Sequence, residues 1–181
     1  MKAASRLISQ DGVQAVAVES LALALGVTKG SFYWHFQSRD ELIHAVLEAW
    51  EQDQSTDVAS RFEGIVDPRR RLRVLLFAAF EDLENGKLFA ALSVSSEDPR
   101  VQPYLRRASD RRLALGVEAF LALGLSETEA RERALFAYAA YAGYFQLLRS
   151  TPEKVAAVTD LSGYVRRLAD ALIPAQPSRR P

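Results

Sequence analysis

The sequence contains no cysteine, which removes disulfides, thiol nucleophiles and zinc–thiolate sites together. Its only histidines are His35 and His44. No acid stands in a recognisable motif to orient either ring, so neither catalysis nor metal binding is expected, and no cofactor is implied. His44 reads as a surface or partly buried side chain. Long apolar runs are missing too. The longest, Ala134 to Leu148 between Arg133 and Arg149, falls short of the roughly 20 residues that span a membrane. The opening MKAASRLISQDG has no apolar core ahead of a small-residue cleavage site, so no targeting signal is read there. Val13 to Val18 alternates weakly, but no second β-rich run exists for it to pair with. Nor is either charge in excess: 23 basic and 23 acidic residues give a net charge of zero, which argues against coating nucleic acid by bulk electrostatics. The expectation is a soluble, cytoplasmic, non-enzymatic protein.

What is present is an apolar content of 49% over 181 residues, enough for one large domain or a small domain attached to a larger one. The organising stretch is Leu21 to Phe36, LALALGVTKGSFYWHF. An apolar helix stops at Gly26, Val27 plugs a tight turn, and Thr28 caps a second short helix, the layout of a helix-turn-helix. Phe32 and Phe36 supply the buried side of that helix. Lys29, Ser31, Tyr33, Trp34 and His35 then face outward, and the segment from Thr28 to Arg39 holds no acid. Net charge is zero, yet here it is placed for contact with an anion.

The remaining pattern is helical throughout, which predicts an all-α fold. Ala3, Ala4, Leu7 and Ile8 make a first helix closed by Gly12. That helix starts almost at Met1, so a longer natural N-terminus with basic residues is expected to precede it. Val13 to Val18 leads into the second helix, with Val18, Leu21, Ala22 and Leu25 on one face. Ser38 and Glu41 form a capping box for a helix carrying Leu42, Ile43, Val46, Leu47 and Trp50. The apolar stripe thins after Glu51, which sets a boundary near Trp50: 1–50 as an N-terminal three-helix domain, 51–173 as a larger helical domain, 174–181 as a flexible tail. Asp67-Pro68 opens the next helix, ended by Asn85-Gly86. Leu88 to Val94 is a short apolar segment before the breakers at 95–99, and a long helix runs from Val101 to Leu123. Ser126 and Glu129 cap a helix that is apolar all round from Ala134 to Leu148, so something must cover its second side. Ala139 and Gly143 would let another helix approach closely. Val158, Leu161, Val165, Leu168 and Leu172 repeat like the seam of a helix pair. Together these two helices suggest a homodimer closed as a four-helix bundle.

At this point the residues resemble a family. Gly12-x-x-Ala15, then Leu21-Ala22-x-x-x-Gly26-Val27-Thr28-Lys29-Gly30-Ser31-Phe32-Tyr33-x-x-Phe36-x-Ser38-Arg39-x-x-Leu42 is similar to the DNA-binding domain of TetR/AcrR-type bacterial regulators. The resemblance covers about the first fifty residues and continues beyond them only as architecture. It implies a dimeric transcriptional repressor on a near-palindromic double-stranded operator, released by a small-molecule effector bound in the second domain, and associated with the nucleoid while on DNA. Carried over, Thr28 caps the recognition helix with its hydroxyl toward a phosphate. Lys29, Gly30 and Ser31 lie at the groove, Tyr33, Trp34 and His35 divide between phosphates and base edges, and Arg39 holds the backbone. Val16 and Ala17 depart from the usual hydroxyl residues, losing a cap worth about 1 kcal/mol.

The aromatics Phe77, Phe80, Phe89, Tyr104, Phe120, Tyr138 and Tyr141 are the candidates for lining an effector pocket, alongside core residues such as Tyr144 and Phe145. An apolar or aromatic effector is expected, and Arg106-Arg107 and Arg111-Arg112 leave an anionic one open. Arg69, Arg70, Arg71 and Arg73 sit unfavourably at a helix N-terminus, which suggests pairing with Glu48, Glu51 or Asp53 across the domain junction. Two other functions stay open beside the regulator: a ligand-independent DNA-binding structural or division-control protein, distinguished by a filled rather than hollow second domain, and an adaptor whose helix-turn-helix no longer reads DNA.

Overall fold

The computed structural model describes residues 2–15, 17, 28, 30, 33–34, 36–60, 64–158 and 160–174. Among these the regular elements are helices: α1 (Lys2–Asp11), a 3-10 turn (Val13–Ala15), α2 (Arg39–Ser60), α3 (Pro68–Glu81), α4 (Leu83–Val94), α5 (Gln102–Leu121), α6 (Glu127–Ser150), α7 (Pro152–Val158) and α8 (Leu161–Leu172). The expected second helix, from Val18 to Leu25, lies outside the described residues.

Local chemistry sets most of the helix ends. Gly12 adopts φ +84° and its N–H donates to the Ile8 carbonyl at 2.9 Å, ending α1 in the left-handed region that favours glycine. Asp67 accepts from the Arg69 and Arg70 amides and Pro68 takes the first turn of α3. Ser126 and Glu129 form a reciprocal capping box at the start of α6. At α2 the box is shifted: Ser38 Oγ accepts from Glu41 N at 3.1 Å, while the Glu41 carboxylate accepts from Gln37 N at 2.5 Å.

Three elements differ from expectation and one, α6, meets it. First, α2 continues through the polar stretch after Trp50 to Ser60, because that stretch contains neither proline nor glycine. Second, Asn85-Gly86 lies within the first turns of α4; Asp82 breaks the chain and caps Asn85 N. Gly86 is needed inside the helix, since a Cβ there would lie 2.1 Å from the Phe145 ring of α6. Third, α6 is apolar all round but two-sided in use: Ala130, Ala134, Tyr141 and Phe145 are buried, whereas Leu135, Phe136 and Leu147 are exposed. Fourth, the last helix is broken before Leu161, where Asp160 caps α8 through Gly163 N at 2.6 Å. Of the expected seam, Val165 and Leu172 are buried in this chain's own core, because α8 packs on α3. They are therefore not available to a second copy.

The core is continuous. Ala4 and Ile8 of α1, Ile43 and Leu47 of α2, Leu72 and Phe80 of α3, Phe120 of α5 and Phe145 of α6 all belong to one buried cluster. α5 and α6 run antiparallel, close enough that a Cβ at Gly116 would lie 3.0 Å from that of Ala134. α1 packs against α4, so the first helix rests on the second half of the molecule.

Candidate functional site

Gly30, Tyr33 and Trp34 are helical, directly ahead of α2. Tyr33 is 54% and Trp34 83% exposed, as the outward reading requires, while Phe36 packs against the core. Thr28 and Gly30 are also exposed; Lys29, Ser31 and His35 lie outside the described residues, as does Val16. Arg39 turns inward: its Nη2 donates to the Val13 and Gln14 carbonyls, each at 3.0 Å. It braces the start of α2 against the turn after α1.

Behind this surface, α2 is held to α5 by a row of polar contacts. Arg100 donates to Asp98 at 2.9 and 2.6 Å and also pairs with Asp40. Its hydrogen bond to Asp98, outweighing burial, holds that carboxyl down at about 2. The Tyr104 hydroxyl lies 3.5 Å from His44 Nδ1, a marginal contact, and burial raises its pKa. Arg107 grips Glu51 through Nε and Nη2, both at 2.8 Å, and Arg111 adds a third bond at 3.0 Å. Chiefly through Arg107, the Glu51 carboxyl titrates below its ordinary value. The junction thus has its ion pairs, but α5 supplies the arginines. Arg73 pairs instead with Asp170 of α8 at 2.7 Å, and Arg69 donates to the Pro174 carbonyl.

On the opposite side of α5, a cleft of about 410 Å³ opens between α4, α5 and α6, with Phe89, Ser93, Leu105, Ser109 and Tyr138 in its wall. Ser109 Oγ and Tyr138 Oη are 2.7 Å apart. Behind the cleft Arg112 lies over the rings of Phe89 and Tyr141, 4.7 Å from each centroid. Its Nη2 donates to Tyr141 Oη at 3.1 Å and faces Asn85 Oδ1 at 3.5 Å, the same oxygen that accepts from Trp50 Nε1 at 2.8 Å. Burial, only partly offset by Arg112, pushes the Tyr141 phenol up to about 12. Of the seven aromatics proposed for a pocket, Phe89 and Tyr138 line this cleft and Tyr141 stands behind it. Phe80 and Phe120 are almost wholly enclosed in the core, Tyr104 sits at the α2–α5 seam, and Phe77 is half-buried against the core.

Among the described residues, no group of three or more His, Asp or Glu could hold a metal, and no helix is long and apolar enough to cross a membrane.

Residues 1–46 match the model of bacterial regulatory proteins of the tetR family. The regulator BetI of Burkholderia lata is 30% identical over 139 residues, covering 71% of this chain and 69% of its own length. The chain belongs to the TetR family. The HTH-type transcriptional regulator TtgR of Pseudomonas putida is 36% identical over 84 residues, which cover 46% of this chain and 40% of the relative, so the chain spans well under two thirds of that relative's length. A TetR transcriptional regulator from Legionella pneumophila shares the fold across 94% of this chain and 93% of its own, with a TM-score of 0.78 at 16% identity. The family is one of regulators, not enzymes.

In this TetR-family chain Glu51 was expected as a junction partner, but for the arginines of α3; its actual partners, Arg107 and Arg111, had a readable signal, since two arginines one helical turn apart share a face. Arg112, set between aromatic rings, had none, because its neighbours come from two other helices, α4 and α6.

Proposed function

We propose that this TetR-family chain is a DNA-binding transcriptional repressor that acts as a homodimer and leaves a near-palindromic operator when a small molecule occupies the cleft between α4, α5 and α6. The observation that carries the reading is the outward exposure of Tyr33 and Trp34 inside the segment matched by the family model. Thr28, Lys29, Gly30, Ser31, Tyr33, Trp34 and His35 form the reading surface: hydroxyls and lysine set position on phosphates, and aromatic and imidazole edges meet the bases. Arg39 holds the start of α2 so that this surface keeps its orientation.

Dimerisation uses the open face of α6. Leu135, Phe136 and Leu147 are exposed, Ala139 and Gly143 lie exposed between them, and nothing stands within 4 Å of a Cβ built on Gly143. Small residues between large ones let two such helices approach closely, with Leu161 and Leu168 at the margin of the contact. Two reading heads then meet half-sites about 34 Å, or a multiple, apart.

Release follows from the position of α5, which has the cleft on one side and Glu51 of α2 on the other. A ligand that binds better to one arrangement of α5 shifts the dimer toward it, by no more than that difference in affinity. The test is a salt-dependent titration of the dimer on its own upstream DNA and on an unrelated duplex, with wild type and Tyr33→Ala. Sequence-selective binding that weakens at least about tenfold in the variant, the scale of one good base contact, is expected. Equal, weak binding to both duplexes, unchanged by the substitution, would sink the reading.

A further inference from the structure

The end of α1 is tied down by groups from three other parts of the chain. Arg149, in the last turn of α6, donates from Nη1 to the Ser9 carbonyl at 2.5 Å. That oxygen is among the last carbonyls of α1, which lack a partner within the helix, and a guanidinium there also meets the negative end of the helix dipole. In the turn that follows, Gln14 Nε2 donates to Asp98 Oδ2 at 3.2 Å, and Arg39 of α2 donates to the Val13 and Gln14 carbonyls. The residues proposed to read DNA lie in the chain between this turn and Arg39. The Arg39 bonds therefore close the reading head on itself, whereas Arg149 and Gln14 fasten it to the second half of the molecule.

Apolar packing holds α1 against α4 but fixes its angle only loosely, because apolar burial is non-directional. Of the two polar ties, the Gln14 amide meets at an exposed site a carboxylate already held by Arg100. The Arg149 bond is shorter, partly buried and donated by a charged group, so it is the stronger. Arg149 also stands about 200° around α6 from Leu147, at about 100° per residue, and Leu147 is exposed. The helix thus carries its open apolar face on one side and α1 on the other. We propose that Arg149 is the positioning residue that sets the spacing of the two reading heads. This rests on the dimer and DNA-binding reading above. With the partner seated on the open face of α6, each head is held to that same helix by one charged hydrogen bond, and the distance between heads follows from where Arg149 places α1. The bond gives the dimer its preference for one half-site separation and adds nothing to the affinity for a single half-site.

The test uses the full chain and its own upstream DNA, with the footprinted site intact, with one or two base pairs inserted at its centre, and cut to a single half-site. Wild type is expected to prefer the intact site over the lengthened ones. In Arg149→Met that preference should fall about tenfold, the scale of one hydrogen bond from a charged group, while half-site affinity stays unchanged. Arg149→Lys should keep part of the preference, and Arg70→Met, which removes an exposed arginine at the start of α3, should keep all of it. An unchanged preference in Arg149→Met, or half-site and intact-site binding that fall together, would overturn the proposal. A second measurement needs no DNA. Because the chain has no cysteine, spin labels at Gln37→Cys and Glu118→Cys, both exposed, report the position of the head within one chain when diluted with unlabelled protein. Their distance distribution should be broader in Arg149→Met than in the otherwise wild-type chain; superposable distributions would overturn the proposal even if neither protein binds DNA. Broadening without selective DNA binding by the wild type would sink the repressor reading and leave Arg149 as the anchor of the head.

Discussion

Toward α2, α5 and the turn before it present Arg100, Arg107 and Arg111, each held by a carboxylate. Toward α4 and α6 the same helix presents Leu105, Ser109 and Arg112 to aromatic rings and hydroxyls. The first face is partly exposed and charged, so its strength depends on salt and protonation. The second leans on an aromatic cluster in which Phe80, Tyr141 and Tyr144 surround Phe145 at centroid distances of 4.9 to 6.1 Å, where packing dominates. One helix thus joins a surface tuned by charge to an interior tuned by shape.

The strongest way to break the contrast is Phe145→Ala. Removing a fully buried ring that also fills the space left by Gly86 should cost about 3–5 kcal/mol. Denaturant unfolding at low and high salt should give the same loss; a loss that shrank with salt would mean that this face is not packing-dominated.

Acid comes next. The Asp98 carboxyl is lowered from 3.8 to about 2, so its contribution is complete above the unfolded value and disappears as pH falls through the folded one. That is of order 1–2 kcal/mol. Stability of the wild type should therefore fall between about pH 4 and 2 more steeply than that of Asp98→Asn. Parallel curves would remove Arg100–Asp98 from the account.

Glu51→Gln should have the smallest effect on stability, at or below about 1 kcal/mol, because Arg107 and Arg111 are half-exposed and water screens the pair. Its effect should appear instead in coupling: the variant binds operator, but an effector changes that affinity less than in the wild type. Unaltered coupling would show that the signal does not cross this seam.

The exposure of Tyr33 and Trp34 was readable because its logic is local: the two residues stand between apolar positions four apart in the sequence, Phe32 and Phe36, and are exposed as that spacing requires. The walls of the cleft were less so. Aromatics at helical spacing look alike in sequence whether they end in the core, as Phe80 and Phe120 do, or at a cleft, as Phe89 and Tyr138 do.

By itself the sequence determined the helical period, the glycine and aspartate punctuation and the capping box at Ser126–Glu129, since each depends on backbone groups no more than a turn away. Only the tertiary structure decided that Glu51 takes its arginines from α5, that Gly86 makes room for Phe145, that α8 spends Val165 and Leu172 on α3, and that Arg112 rests between the rings of Phe89 and Tyr141. Each joins residues far apart in the chain, and which of them meet is set by how helices cross and how far long side chains reach, quantities that no local period encodes.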